Sequence, residues 1–141
     1  MSQKIVVQTR INAPKSLVWE TYTQPQHVMG WNFADPSWHC PHAENDLRTG
    51  GRYMARMEAR DGSYGFDFEA VYTEVNPEEN FTYEFGGRFA TVDFNEAEGQ
   101  TELTITFNPE NENPVELQRQ GWQSILDNFK QYTEAIGPMS N

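Results

Sequence analysis

Apolar and polar positions alternate through the middle of this chain. From Arg52 to Ala59, Tyr53, Ala55, Met57 and Ala59 share one side; Arg52, Arg56 and Glu58 share the other, with Met54 the exception. Tyr64 to Val75 sets Phe66, Phe68, Ala70 and Tyr72 against Asp67 and Glu69. Phe81, Tyr83 and Phe85 alternate with Thr82 and Glu84, and two further faces follow, Ala90-Val92-Phe94 and Leu103-Ile105-Phe107. A period of two predicts strands of an antiparallel sheet with one buried and one wet face. Asp61-Gly62, Asn76-Pro77, Gly86-Gly87 and Glu98-Gly99 supply the turns between them. Thr49-Gly50-Gly51 permits a bulge or tight turn ahead of the first of these runs.

Before this sheet, Ile5 to Ile11 alternates weakly around Val7 and Thr9 and reads as a first strand. Pro14 suits the first turn of a helix carrying Leu17, Val18 and Tyr22, and Thr23-Gln24-Pro25 stops it. Gln26 to Trp31 predicts one more short helix. Asn32 to Asn45 holds Pro36 and Pro41 and reads as a loop. Yet Phe33, Trp38 and Cys40 make it too apolar for a free linker, so it is expected to pack as a flap or pocket rim.

After the sheet the period changes to that of a helix. Pro114 to Ile136 carries a stripe of Val115, Trp122, Ile125, Leu126, Phe129, Tyr132 and Ile136 at 100° per residue. Asn113 and Glu116 fit a capping box, Pro114 fits the first helical position, and Gly137-Pro138 supplies a stop. Such a helix is roughly 34 Å long, enough to cross a sheet. No internal repeat interrupts the pattern, and the whole chain, residues 1–141, is expected to be one domain.

Charge narrows the function. With 21 acidic and 10 basic residues the net charge is −11, which opposes phosphate backbones and anionic lipid. The series Arg48-Arg52-Arg56-Arg60 is diluted by Glu58 and Asp61 and reads as solvated strand faces, so no nucleic-acid partner is expected. The one cysteine, Cys40, excludes an internal disulfide and fits a reducing cytoplasm. No apolar run approaches the ~20 residues of a membrane span, and Met1-Ser2-Gln3-Lys4-Ile5 has no signal-peptide pattern. Nine Phe, six Tyr and four Trp predict a large or aromatic-lined interior.

Short blocks in register carry a family resemblance. Ile11-Asn12-Ala13-Pro14, Val18-Trp19-Glu20, Thr23-Gln24-Pro25 and Trp31 are similar to the opening of the domain found in activators of Hsp90 ATPase. Asp46-Leu47-Arg48-Thr49-Gly50-Gly51-Arg52 resembles its central signature. Arg56-Met57 with Asp61-Gly62, Tyr72-Thr73-Glu74-Val75-Asn76-Pro77, and Gly121-Trp122 with Leu126 match further blocks in order. The chain is thereby identified as a member of the AHSA1-like group within the START/Bet v 1-like (SRPBCC) superfamily. The resemblance implies an α+β helix-grip fold: an antiparallel sheet of about seven strands around a long C-terminal helix, with two short helices after the first strand. It also implies three classes of role found in that superfamily, namely ligand carriage, polyketide cyclase-like catalysis and Hsp90 co-chaperone action. True Hsp90 activators resemble this chain in their C-terminal domain and carry an additional N-terminal one, which makes Hsp90 the least expected partner.

Several residues interrupt the pattern in ways that bear on chemistry. Gln118 lies on the apolar stripe of the long helix, where a buried amide must find partners, in a wet cavity or on backbone carbonyls. Gly121 is costly inside a helix and would make room for a ligand or for a close strand or the Trp38 flap, with close packing the favoured reading. Arg88 shares parity with Ala90, Val92 and Phe94; it points inward or to a pocket mouth, where it would hold a ligand carboxylate or hydroxyl, or else pair with an acidic neighbour. His39-Cys40-Pro41-His42 has soft and borderline ligands but no second pair at metal spacing, so it reads as a rim histidine and a buried thiol. Asp46 and Arg48 read as an ion pair pinning a loop, and a proton-moving role for His39, His42 or Asp46 belongs to the cyclase-like alternative.

The leading expectation is a non-enzymatic binding module for a small apolar, aromatic or lipid-like molecule. Trp31, Trp38, Tyr53, Met57, Phe66, Tyr83, Arg88, Gln118 and Trp122 would line or gate its pocket. No metal, cofactor or catalytic residue is assigned. Met54, Val71 and Phe89 on the outer sheet face leave a homodimer open.

Overall fold

The computed structural model describes residues 4–136; the Met1-Ser2-Gln3 start and the Gly137-Pro138 stop lie outside them. Strand β1 (Ile5–Ile11) leads into helix α1 (Lys15–Thr23) and the single turn α2 (Pro25–Val28). Six strands follow: β2 (Trp38–Asn45), β3 (Arg52–Ala59), β4 (Gly65–Asn76), β5 (Asn80–Phe85), β6 (Arg88–Ala97) and β7 (Gln100–Phe107). Helix α3 (Val115–Ile136) ends the description. The strands form one antiparallel sheet in the order β1-β7-β6-β5-β4-β3-β2. Strands β2 to β7 are a meander, and β1 returns beside the last of them. This is the α+β helix-grip arrangement, a curled seven-stranded sheet with a long C-terminal helix.

Alternation in β5 to β7 becomes burial as expected. Phe81, Val92, Phe94, Leu103, Ile105 and Phe107 all point inward and are at most 3% exposed. Register brings them together, with Phe81 opposite Val92, Val92 opposite Ile105 and Phe94 opposite Leu103.

The segment read as a loop contains a strand. β2 pairs with β3 along the sheet edge, with a register shift between His39 and His42. Pro41 sits within that shift, where its missing N–H breaks no pairing. The extra residue moves the inward positions to Cys40 and Ala43, three apart, which hides the period of two. Helix α2 is also shorter than expected. It ends at Val28, and Gly30 lies in the turn that follows, where a Cβ would stand 2.5 Å from the Tyr132 ring. Trp31 then tucks inward and its indole N–H donates to the Thr21 carbonyl over 2.8 Å.

Helix α3 keeps its stripe with two changes: Val115 is exposed, whereas Thr133 is fully buried and shares a 3.1 Å hydrogen bond with Thr21. Asn113 does not form the capping box. Its side-chain amide donates to the Glu110 carboxylate, which also accepts from the Glu112 and Asn113 N–H groups.

The flank of α3 has a second task. Arg119, Gln123 and Lys130 donate to the carbonyls of Val6, Gln8 and Arg10 over 3.2, 3.1 and 2.6 Å. Those are alternate residues of β1, an outer strand of the sheet, so their carbonyls face away from β7. The helix thus covers a strand edge that would otherwise present unpaired backbone groups.

Candidate functional site

Between α3 and the sheet lies a partly enclosed pocket of about 250 Å³. Helix α3 supplies Trp122, Ile125 and Leu126; the α1–α2 region supplies Tyr22, Trp31 and Asn32. The sheet supplies Tyr53 and Met57 from β3, Phe66 and Phe68 from β4, Tyr83 and Phe85 from β5, Arg88 from β6 and Ile105 from β7. Parity explains the sheet wall, since each of these side chains is on the inward face of its strand. Trp122 stacks on Phe107, with ring centres 3.9 Å apart and planes 14° from parallel, and so closes one wall.

Of the residues singled out from the sequence, Trp31, Tyr53, Met57, Phe66, Tyr83, Arg88 and Trp122 are brought together here. Two are not. Trp38 lies on β2 and packs edge-on against Tyr64 and Phe66 beyond the pocket lining. Gln118 is buried, but its amide is spent on backbone: Oε1 accepts from the Glu110 N–H, and Nε2 donates to the carbonyls of Glu110 and Asn113. It ties down the segment that leads into α3. Phe68, Phe85, Ile105 and Ile125 were legible as inward residues; Tyr22 and Asn32 carried no signal separating them from helix face and loop.

Gly121 is the clearest correction. A Cβ added there meets no atom within 4 Å, so close packing does not account for it. It borders a second, shallower depression with Leu117, Gln118 and Glu110. Gly121→Ala is expected to raise stability by about 0.5–1 kcal/mol, by removing a helix-interior glycine. The check is a higher urea midpoint with an unchanged slope; a lower midpoint would mean the position needs glycine for another reason.

The pocket's polar groups are few. Asn32 Nδ2 donates to the Tyr53 hydroxyl at 3.0 Å, and outside the lining the Tyr72 hydroxyl donates to Asn45 Oδ1 at 2.8 Å. No described residue bonds the Tyr22 or Tyr83 hydroxyl. Since no enclosed side-chain nitrogen or oxygen among the described residues lacks a partner, those two hydroxyls face open pocket space. Arg88 donates through Nε and Nη2 to the Asn108 carbonyl at 3.2 and 3.1 Å, and its guanidinium lies 4.8 Å from the Phe85 ring centre. Burial pushes the guanidinium pKa down, with Glu110 pulling the other way.

The proton-moving candidates lie elsewhere. His42 is 2.8 Å from Glu44, His39 is 3.6 Å from Glu58, and Asp46 accepts both ways from Arg48 Nε; none of the three lines the pocket. Among the described residues, no group of three His, Cys, Asp or Glu side chains is gathered as a metal site would need. Cys40 is buried, and burial pushes its thiol up to about 11.

Three buried tyrosines and the partly buried Tyr22 make the fold sensitive to alkali. Burial, reinforced for Tyr22, Tyr53 and Tyr72 by neighbouring tyrosines, holds the pKa of Tyr22, Tyr53, Tyr72 and Tyr83 above the ordinary value of 10.0. The folded state therefore keeps these protons after the unfolded chain has begun to lose them. Their contribution to stability is complete below about pH 10 and falls as pH rises beyond it. Cys40 acts in the same sense from its own ordinary value of 9.0. Melting temperature should drop steeply above about pH 10, with tyrosinate absorbance arriving together with unfolding. Gradual tyrosinate absorbance from a still-folded protein would contradict this.

Comparison with known proteins fits this geometry. The family model described as Activator of Hsp90 ATPase homolog 1-like protein matches residues 12–134. The solution structure of an AHSA1-like protein from Aeromonas hydrophila is 36% identical, with a TM-score of 0.90 over 94% of this chain and 93% of that one. Chr148 from Cytophaga hutchinsonii is 42% identical, with a TM-score of 0.81 over 94% and 92%. CV1439 from Chromobacterium violaceum, at 24% identity and a TM-score of 0.83 over 94% and 98%, shares the fold. No curated protein matches the chain. Among the described residues no helix is long and apolar enough to cross a membrane.

Proposed function

The chain belongs to the Activator of Hsp90 ATPase homolog 1-like family, and from the pocket beneath its long helix we propose that it is a binding protein for a small, largely apolar or aromatic molecule. The observation that carries this reading is the pocket itself: about 250 Å³ inside an aromatic core, with a few polar groups converging on it. A mostly apolar cleft with a small number of placed polar groups is the usual form of a small-molecule site. Each 100 Å² of apolar ligand surface removed from water contributes about 2.5 kcal/mol. Arg88 and the tyrosine hydroxyls then set orientation. The polar lining consists of Asn32, Arg88 and the three tyrosines, a set suited to holding a molecule.

The test is a thermal-shift screen against lipids, flavonoids and phenolic acids. A ligand at a hundred times its Kd should stabilise the protein by about 2.7 kcal/mol. Ile125→Trp, which fills the pocket from the α3 side, should abolish the shift while leaving the protein folded. Silence from every member of the screen would count against binding, and an undiminished shift in Ile125→Trp would move the site elsewhere.

A further inference from the structure

The two ends of the pocket are chemically different. At one end stands Arg88, whose Nε and Nη2 are committed to the Asn108 carbonyl. That bond and the Phe85 ring fix the guanidinium plane, and Nη1 has no partner among the described residues. The chain has 21 acidic residues, yet no described carboxylate comes within salt-bridge distance of this half-buried cation. Glu110, which borders the same shallow depression as Arg88, attracts this charge only from beyond that distance, so a bound carboxylate would be its first direct ion-pair partner among the described residues.

Strand register places the other end. Phe85 pairs with Arg88 and Tyr83 with Ala90, so Tyr83 stands two residues further along β5, about 6.6 Å away. Tyr83 is 6% exposed and its hydroxyl has no described partner. Tyr22, from α1, also lines the pocket, with its ring 5.9 Å from that of Phe81. The rest of the lining is mostly carbon, Phe68, Phe85 and Trp122 among it, and its polar pair, Asn32 and Tyr53, are bonded to each other. The volume, about 250 Å³, is below the roughly 300–1,000 Å³ that houses drug-sized ligands. That volume suits one or two rings better than a long acyl chain.

We propose that the ligand is a compact aromatic acid whose carboxylate pairs with Arg88 and whose far end carries an oxygen bonded by Tyr83 or Tyr22. This rests on the binding reading above and narrows it. Charge-assisted donation from a fixed guanidinium selects the acid over an uncharged isostere, and the otherwise unpartnered hydroxyls select an oxygen over bare hydrocarbon.

The experiment titrates the full chain with hydroxycinnamate, its primary amide and unsubstituted cinnamate, read by calorimetry and tryptophan fluorescence. The acid should bind about tenfold tighter than the amide or better, a gap of the size one charge-assisted hydrogen bond produces. Arg88→Gln should erase the gap, and Arg88→Lys should retain part of it. Loss of the ring hydroxyl should weaken binding several-fold in the natural protein and leave Tyr22→Phe/Tyr83→Phe unaffected. Equal affinity for acid and amide, a comparison that needs no variant, overturns the proposal while the binding reading stands. So does binding of lipids or flavonoids alone. Silence from these probes and the whole screen overturns both.

Discussion

Phe129→Ala is expected to lower stability by about 3–5 kcal/mol, the range for cutting back a fully buried phenylalanine. Phe129 is 0% exposed. Its ring meets Trp31 at 4.8 Å and Tyr22 at 4.9 Å, both nearly edge-on. One side chain therefore joins α3 to α1 and to the turn after α2, and it does so beneath two residues of the pocket wall. Neighbours cannot collapse into the gap, because Trp31 is held by its bond to Thr21 and by the Asn128 amide donating to its carbonyl over 2.8 Å. Against a total of about 5–15 kcal/mol for a domain, such a loss leaves a marginal fold. Phe129→Leu, which keeps most of the volume, should cost under about 1.5 kcal/mol. Urea unfolding distinguishes the two. A loss below about 1 kcal/mol for the alanine variant would show that the helix is not held at this point.

Gly51→Ala should be comparably severe, at about 3 kcal/mol or more, for a reason that owes nothing to burial of apolar surface. Gly51 donates to the Arg48 carbonyl and accepts from the Tyr72 N–H, so its backbone is fixed on both sides. A Cβ there would stand 2.0 Å from the Asp46 carbonyl oxygen. The obstacle is backbone, and no rotamer relieves it. Gly50, next in the chain, is the control. Its φ is +85° but open space surrounds the missing Cβ, so Gly50→Ala should cost only the left-handed penalty of about 1–2 kcal/mol. Equal effects at the two positions, by melting temperature and near-ultraviolet circular dichroism, would show that the turn can move out of the way. The clash also reaches the site region, because the same turn anchors Tyr72 on the strand next to Tyr83.

The sheet and the long helix were legible because their periods are undisturbed. Leu103, Ile105 and Phe107 alternate without interruption, and burial follows them residue by residue. Where the backbone slips, the pattern misleads: the shift between His39 and His42 turned β2 into an apparent loop. The pocket was legible on its sheet side for the same reason. Its helical side was harder. Gln118 and Trp122 lie one turn apart on α3, yet only Trp122 reaches the pocket, while the Gln118 amide is taken by a segment whose course sequence pattern does not encode. Gly121 misled in the opposite direction, since a costly residue implies a neighbour and the structure has none there. Arg88 pointed inward as its parity required, but the Asn108 carbonyl that steadies it lies past the end of β7, 20 positions away.

The clasp between α3 and the carbonyls of β1 bears on how the protein reaches this state. Neighbouring hairpins can build β2 to β7 from short-range pairings. β1 is different, for Ile5 must find Phe107, about a hundred positions away, before Arg119, Gln123 and Lys130 have a strand to hold. Loop closure on that scale is slow, which puts refolding nearer the millisecond-to-second regime of sheet proteins than the microsecond regime of helical bundles. If the clasp forms after the rate-limiting step, it governs departure rather than arrival: loosening it would shorten the lifetime of the native state and leave the speed of folding almost untouched.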